Sequence, residues 1–243
     1  MALQIPSPQT ARSVIRELRA RGSPARARVS ASFFKTAPGQ YGHGDVFAGV
    51  TVPAQREVAR RHRALPLDQL ATLLEHRVHE CRLTALIILV GQYRNADPME
   101  RGRIVRFYLA HRSAIDNWDL VDSSAPYILG DHLLDRDRSF LYRLAKSRRI
   151  WDRRIAVVAT AAFIREDDFD DTLRLARILL RDHHDLIHKA VGWMLREVGN
   201  RNQRVEERFL ERYAAVMPRT MLRYAIEKLP ESKRRRYLAA RAA

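Results

Sequence analysis

The chain has 243 residues, 46% of them hydrophobic, so it can bury a sizeable core and is not expected to be disordered. Its 44 lysines and arginines outnumber its 28 aspartates and glutamates, and the resulting formal charge of +16 favours a polyanionic partner, above all nucleic acid. Cys81 is the only cysteine, which excludes an intramolecular disulfide and a multi-cysteine zinc site and suits a reducing cytoplasm.

The N-terminal residues, 1–10, lack the apolar run of a signal peptide, and we expect them to be flexible. The longest apolar stretch, residues 85–90, is far shorter than the ~20 residues that a membrane span requires. We therefore expect a cytoplasmic protein with no membrane partner, monomeric by default and folded as a single domain over residues 1–243.

Helical periodicity dominates the chain, because apolar residues recur at spacings of three and four and no segment shows the strict alternation of a strand. The first predicted helix, residues 13–21, is followed by a loop rich in proline, glycine and serine that extends through residues 36–45. Pro53 suits the first turn of a helix, and it predicts that a helix opens there and covers residues 54–64.

Two further punctuation signals define helices in the middle of the chain. Pro98 predicts the start of a helix over residues 99–111. Asn117 is a favourable N-cap, which predicts a short helix over residues 118–124 that Pro126 should end. The other predicted helices span residues 67–75, 80–93, 139–146, 151–164, 168–180, 185–198, 205–216, 220–228 and 231–240.

Short helices with short connections predict an all-α fold, a curved solenoid of HEAT-like helical repeats, rather than a long bundle. Arg82, Trp118, Arg154 and Lys189 recur at intervals of 36, 36 and 35 residues, at similar places in successive second helices. In a chain this rich in arginine the recurrence can also arise by chance. If the repeat is real, these residues share the concave face on which second helices line up.

Trp118 and Asp122 are the first candidates for chemistry, because four residues separate them and a helix places both on one face. An indole face and a carboxylate both attract positive charge. Trp193 could supply a second ring in the same groove, and Arg154 could hold a phosphate or pair with Asp122. The alternative is structural, since a helical tryptophan is more often core and a helical aspartate is more often a solvated or capping residue.

Basic residues near these positions are candidate phosphate contacts, although a solvated surface is the alternative for each. No P-loop, dinucleotide fingerprint or nucleophile elbow is present, and the adjacent His183 and His184 make a poor metal pair, so no cofactor and no metal are expected. The candidate contacts are Arg148, Arg149 and Arg153 beside the proposed cleft, Arg56, Arg60, Arg61 and Arg63 on one helix, and Lys233, Arg234, Arg235 and Arg236 near the C-terminus.

Over about residues 30–240 the chain resembles the AlkD-like DNA alkylation repair glycosylases, enzymes built from HEAT-like repeats. The motifs that carry the resemblance are specific as a set and weak singly. They are Tyr-Gly-His-Gly-Asp-Val-Phe-Ala-Gly-Val-Thr-Val-Pro at 41–53, Asn-Trp-Asp-Leu-Val-Asp at 117–122, Ile-Leu-Gly at 128–130, Trp-Asp-Arg-Arg at 151–154 and Lys-Ala-Val-Gly-Trp-Met-Leu-Arg-Glu at 189–197.

The resemblance implies a monofunctional glycosylase that hydrolyses the N-glycosidic bond of 3-methyladenine and 7-methylguanine in double-stranded DNA, without a lyase step and with the lesion left in the duplex. On matching positions the implied active site consists of Trp118, Trp193, Asp122 and Arg154. Thr51 stands where many relatives carry a basic residue. The DNA contacts expected on this basis are Arg154, Arg153, Arg148, Arg149, Lys189 and Thr51.

The chemistry of such a substrate suits this set, because a cationic alkylpurine leaves as a neutral base and needs no general acid. Asp122 would stabilise the developing sugar cation and place a water, the two indoles would favour positive charge, and Arg154 would clamp a phosphate. Two other functions remain open: a non-catalytic nucleic-acid-binding solenoid that recognises distorted backbone, and a protein-interaction scaffold.

Overall fold

The computed structural model describes residues 10–240, and regular structure in this range is helical. Extended backbone pairs there only in an isolated parallel bridge between Val46 and Val78. The predicted all-α class is confirmed. The flexibility expected for residues 1–10 falls on residues outside the described range, except for Thr10, which caps the first helix through a hydrogen bond from the Ser13 amide.

The chain divides into two compact units, Met1–Ser124 and Ala125–Ala243. The helices of the first unit begin at proline or at a capping residue in several cases, as the sequence predicts. They are α1 (Ala11–Ala20), α2 (Pro24–Phe33), α3 (Val52–Arg61), α4 (Leu67–Leu74), α5 (His79–Asn95), α6 (Pro98–Ala110) and α7 (Trp118–Asp122), with a 3₁₀ turn at Arg112–Ala114.

Helix α5 forms the centre of the first unit. It is 17 residues long, and apolar residues such as Leu86, Leu89 and Tyr93 bury it on nearly every side against α1, α3, α4 and α6. A helix that is surrounded in this way has no solvated stripe, which is typical of the core helix of a helical domain. Its N-terminal turn is consequently held in place by the whole unit.

Helix α2 corrects the sequence prediction, which placed a loop between residues 21 and 45. Ser23 caps the helix by accepting from the Arg26 amide, and Pro24 occupies the first turn. None of its ten residues is buried, so it carries no apolar stripe that periodicity could detect. It is held instead by polar contacts at its start, where the Ser23 amide donates to the Ala48 carbonyl over 2.9 Å.

The helices of the second unit agree with the predicted ones to within three residues at either end, apart from the region 151–164. They are α8 (Ser139–Leu144), α9 (Ile150–Ala159), α10 (Ala161–Arg165), α11 (Asp170–Leu179), α12 (Asp185–Arg201), α13 (Gln203–Tyr213), α14 (Arg219–Ala225) and α15 (Glu231–Ala239), with a π turn at Pro126–Gly130 and a 3₁₀ turn at Ile226–Lys228.

Two predicted boundaries in this region are wrong. The single helix predicted over residues 151–164 is interrupted at Thr160, whose hydroxyl donates to the Val157 carbonyl over 2.7 Å and so competes with the helical backbone pattern. Pro126 does not end the helix that begins at Trp118, since α7 already ends at Asp122 and the proline opens the π turn.

Helix α12 forms the centre of the second unit and packs against α9, α11, α13 and α14. Gly192 permits the close approach of α14, because a Cβ atom at this position would lie 2.4 Å from the Met221 carbonyl oxygen. Helix packing therefore explains the glycine in the 189–197 motif. The tryptophan that follows it, Trp193, is held by a tightly packed helix.

The predicted repeat positions fall near helix starts. Arg82 is the fourth residue of α5, Trp118 the first of α7, Arg154 the fifth of α9 and Lys189 the fifth of α12. The positions of these four residues within their helices therefore agree to within about one helical turn. The solenoid repeat and the shared concave face stay predictions.

Glu80, in the first turn of α5, anchors the segment that follows α2. Its carboxylate is almost fully buried and accepts from the backbone amides of Ala48 (2.9 Å), Gly49 (2.7 Å) and Val50 (3.2 Å). Gly49 has a φ of 74°, a left-handed conformation that favours glycine. The end of the 41–53 motif, Gly-Val-Thr-Val-Pro at residues 49–53, thus begins with backbone that surrounds a buried carboxylate.

Replacement of this anion should loosen the first unit. We expect Glu80→Gln to lower the free energy of unfolding by about 2 kcal/mol, because an amide cannot accept all three backbone donors and its own NH₂ group opposes them. Urea unfolding followed by circular dichroism measures the change. Glu57→Gln, on the exposed face of α3, is the matched control and should change it by less than about 0.5 kcal/mol. Equal effects of the two substitutions would contradict the anchoring role.

Candidate functional site

Trp118 and Asp122 are the two ends of α7, a five-residue helix in the first unit. Asn117 precedes it as predicted, and its side-chain oxygen accepts from the Trp118 amide over 2.8 Å. Leu120 and Val121 point into the core, whereas Trp118 and Asp122 are only half-buried. The structural alternative, a tryptophan sealed in the core, therefore does not hold for Trp118.

Aromatic rings pack against Trp118 from the end of α2. Phe34 stacks on the indole with ring centroids 5.3 Å apart and planes inclined by 16°, and Phe33 meets it edge-on at 5.9 Å. Phe47 continues the column by stacking on Phe34 at 5.0 Å. One face of the candidate indole is consequently covered by the protein itself, and a substrate would have to use the remaining edge and face.

A buried ionic cluster lies at the other end of this aromatic column. The ring of His79 stacks on Phe47 with centroids 4.8 Å apart and is tilted against Phe34 at 4.9 Å. Its Nε2 lies 2.8 Å from Asp119 Oδ2, and its Nδ1 lies 3.4 Å from Asp45 Oδ2. His79 is only 2% exposed, so both carboxylates act on it with little screening by solvent.

Arg82 completes the cluster from the next turn of α5. Its guanidinium pairs with Asp45 and, over 3.1 Å, with Asp116. Asn117 also donates to Asp45, over 2.8 Å. Burial by itself would raise the pKa of Asp45, but the hydrogen bond with His79 and the charge of Arg82 lower it overall. For Asp116 burial prevails and its pKa is raised, although the charge of Arg82 opposes the shift.

His79 is the cation at the centre of the cluster. Burial by itself would lower its pKa, but the hydrogen bonds with Asp119 and Asp45 and the negative charge of Asp119 outweigh burial and raise the pKa to about 9. The ring is therefore protonated at neutral pH.

Sequence reasoning missed several members of this arrangement. Asp45 and Phe47 lie in the 41–53 motif and Asp119 in the 117–122 motif, but nothing in either motif indicates that these residues meet around His79. His79 gave no local signal, because it stands at the start of a helix whose partners are remote in sequence.

Asp122 lies near a second buried group of the first unit. Tyr108 is fully buried, and its hydroxyl and that of Ser124 are hydrogen-bonded over 3.1 Å. Burial raises the pKa of Tyr108, the hydrogen bond with Ser124 lowers it, and the negative charge of Asp122 raises it further. Asp122 therefore has a neutral, buried phenol close by.

Thr51 precedes α3 as its N-cap and is exposed, without a side-chain capping bond. It borders a cavity of about 310 Å³ whose other walls include Phe34, Phe47, His79 and Asp119. The position predicted as a DNA contact thus adjoins the aromatic and ionic cluster. A larger groove of about 1280 Å³, lined by Arg56, Arg60 and Arg63, does not include Trp118 or Asp122.

In the second unit Trp193 is half-buried on α12 and donates from Nε1 to Glu197 Oε1 over 2.9 Å. The glutamate one helical turn away fixes the orientation of the indole. Trp151 is 7% exposed and belongs to the core of this unit. That Trp193 shares a groove with Trp118 stays a prediction.

Arg154 and Arg153 are both engaged inside the second unit. Arg154 is 4% exposed, and its Nη1 donates to the Leu186 carbonyl over 2.6 Å, which ties α9 to the start of α12. Arg153 pairs with Asp182 over 2.6 Å and donates to two backbone carbonyls, those of Ser147 and Arg148. A phosphate contact by either residue would have to use the small part of the guanidinium that is still exposed.

The other predicted DNA contacts of this unit are more accessible. Arg148 is exposed, Arg149 pairs with Asp152 over 3.4 Å, and Lys189 pairs with Asp185 over 2.7 Å. Burial by itself would raise the pKa of Asp185, but the hydrogen bonds from Lys189 and Thr220 lower it overall. Arg148 is thus the candidate whose charge is most available to a polyanion.

No group of three or more His, Cys, Asp or Glu side chains within residues 10–240 is arranged to hold a metal ion. In the same range, no helix combines the length and the apolar character that a membrane crossing needs.

The fold and the site define an all-α, strongly basic protein that presents a tryptophan and an aspartate on one short helix. The family model for DNA alkylation repair enzymes matches residues 14–229, and the chain belongs to this family. Its fold is similar to that of a predicted DNA alkylation repair enzyme from Enterococcus faecalis, with a TM-score of 0.67, 16% sequence identity and coverage of 87% of this chain and 98% of that one. A comparison with curated proteins found no match.

Proposed function

We propose that the protein removes cationic N3- and N7-alkylated purines from double-stranded DNA by hydrolysing the N-glycosidic bond, without a lyase step. The observation that carries the proposal is that Trp118 and Asp122, one helical turn apart on α7, are both partly exposed. Membership of the alkylation repair family and the charge of +16 support DNA as the substrate.

The reaction does not require the protein to act as a general acid. Alkylation at N3 or N7 gives the purine a formal positive charge, so the base departs as a neutral molecule when the glycosidic bond breaks. The positive charge then moves to the deoxyribose. Catalysis consists of stabilising that sugar cation and supplying a water to its C1′ carbon.

Asp122 has the chemistry for both tasks. Its carboxylate stabilises the developing positive charge, and it accepts a proton from the water that attacks C1′. The rim of the first unit leaves it partly open to solvent, and the neighbouring Tyr108 phenol is neutral and adds no competing negative charge.

Trp118, Trp193 and Arg154 have the other proposed roles. The exposed part of the Trp118 indole favours a cation over a neutral nucleoside, and Trp193 offers a second half-buried ring of the same kind. Arg154, which is 4% exposed, is proposed to hold a backbone phosphate. The protein acts on DNA as a cytoplasmic monomer, with phosphate contacts from Arg148, Arg149, Arg153, Lys189 and Thr51.

Asp122→Asn is the direct test of this mechanism. We expect it to reduce the release of free 3-methyladenine and 7-methylguanine from methylated duplex DNA by at least about 100-fold, because the neutral amide cannot stabilise the sugar cation. Duplex affinity should stay within about threefold, since Asp122 does not serve phosphate binding.

Asp68→Asn, on the exposed surface of α4, is the matched control and should keep full activity. Undiminished release by Asp122→Asn would remove Asp122 from the reaction. If the wild type binds duplex DNA but releases no alkylated base, the alternative of a non-catalytic DNA-binding protein would replace the proposal.

Arg148→Ala tests the phosphate contacts. We expect weaker binding of undamaged duplex and a decrease of about one in the slope of log K against log salt, because one fewer counterion is released. Fluorescence anisotropy between about 50 and 200 mM salt measures both. Arg136→Ala is the control, since Arg136 is already paired with Asp135 over 2.6 Å, and it should leave the slope unchanged. An unchanged slope for Arg148→Ala would assign the phosphate contacts to other residues.

A further inference from the structure

The two residues that flank Trp118 are both tied to the ionic cluster. On one side Asn117 donates to Asp45, and on the other side Asp119 is hydrogen-bonded to His79, each over 2.8 Å. The Trp118 ring itself rests on Phe34, which in turn contacts the His79 ring. The backbone and the side chain of Trp118 are therefore both linked, through these neighbours, to the first turn of α5.

The carboxylates around His79 favour a protonated ring. A neutral imidazole donates from one nitrogen only, yet both ring nitrogens face carboxylate oxygens, Nε2 that of Asp119 and Nδ1 that of Asp45. Only the imidazolium donates at both ends. Arg82 opposes this state, since its Nη2 lies 3.3 Å from Nδ1 and would donate to an unprotonated nitrogen there. Protonation prevails because the cluster holds three carboxylates against Arg82 and His79.

We propose that His79, as an imidazolium clamped between Asp45 and Asp119, is a positioning residue that orients Trp118 and the turn carrying Asp122 toward the substrate sugar. The proposal rests on the function proposed above for Trp118 and Asp122. His79 does not touch the substrate and takes no part in bond breaking. It acts by holding Asp119, the residue after Trp118, and by supporting the aromatic column beneath the indole.

The clamp is sensitive to pH in a defined direction. The charged groups that face His79 are Asp45 from the 41–53 segment, Asp119 from α7, Asp116 from the preceding loop and Arg82 from α5 itself. The pKa of His79 is raised to about 9 from an ordinary 6.5. The stability that the protonated ring contributes is therefore fully present below about pH 6.5 and is lost as the pH rises through about 9. After deprotonation Nδ1 no longer donates to Asp45, so the ring no longer ties the 41–53 segment to α7, and we expect the surroundings of Trp118 to change.

Activity measurements against pH provide the first test. The rate is that of 3-methyladenine release from methylated duplex DNA at saturating enzyme, corrected for spontaneous loss, for the wild type, His79→Gln and the control His43→Gln, an exposed histidine of the 41–53 segment. We expect His79→Gln to be about 10- to 100-fold slower at pH 7.5 with duplex affinity within about threefold, since misplaced groups slow the reaction more than they weaken binding.

The ratio of wild-type to variant rate removes the pH dependence of the substrate itself. We expect this ratio to fall toward one as the pH rises through about 9, because deprotonation makes the wild type resemble His79→Gln. The ratio of wild type to His43→Gln should stay near one throughout. A pH-independent ratio for His79→Gln, or full activity of that variant, would overturn the positioning role.

A second measurement needs no DNA. The full chain is labelled with 5-fluorotryptophan, and the ¹⁹F resonance of Trp118 is assigned with Trp118→Phe. We expect this resonance to shift with a midpoint near pH 9 in the wild type and not in His79→Gln, while the Trp151 and Trp193 resonances stay constant. If His79→Gln does not fold, the wild-type titration and Asp119→Asn, which keeps the shape of the side chain, serve instead.

The two measurements separate the two proposals. A wild type that releases no base at any pH would refute the glycosylase function, and the ¹⁹F titration would still decide whether His79 holds Trp118. A Trp118 resonance that changes neither with pH nor with the His79→Gln substitution would refute the positioning role, whether or not the enzyme is active.

Discussion

Buried charge in the first turn of α5 is the constraint on which the first unit depends. His79 and Glu80 are neighbours in sequence and point to different parts of the 41–53 segment, His79 to Asp45 and Glu80 to the amides of residues 48–50. Each charge is buried and would be unfavourable alone, so each is satisfied by several partners. Because α5 is enclosed by the rest of the unit, it presents a rigid platform on which that segment and α7 are both seated.

This platform explains how a five-residue helix can hold the candidate side chains Trp118 and Asp122. A helix as short as α7 is not stable by propensity alone, and its position must come from tertiary contacts. Asn117 caps it and also reaches Asp45, Asp119 reaches His79, and Leu120 and Val121 enter the core. With the inner face of α7 held in this way, the outer face is left to Trp118 and Asp122. The cover over the indole comes from the end of α2, a helix that buries none of its own residues.

The basic residues of the second unit divide into two groups by burial. Arg153 pairs with Asp182, and Arg154 donates to the Leu186 carbonyl. Such internal contacts of arginine stabilise the packing of helices. Arg148 keeps its hydration and its charge on the surface. Net charge is therefore a property of the whole chain that predicts the kind of partner, whereas only the accessible part of each guanidinium determines which residues meet a phosphate.

The sequence by itself determined the properties that depend on neighbours along the chain: the helices with an apolar stripe, the Asn117 cap, the placement of Trp118 and Asp122 one turn apart, and the charge that favours DNA. It missed α2, because a helix without a buried face leaves no periodic signal, and it missed the break at Thr160, where a side chain competes with the backbone. Only the tertiary structure decided that Arg154 is buried and that His79 meets Asp119, 40 residues away. Such contacts form because distant segments pack together, and no local pattern encodes that pairing.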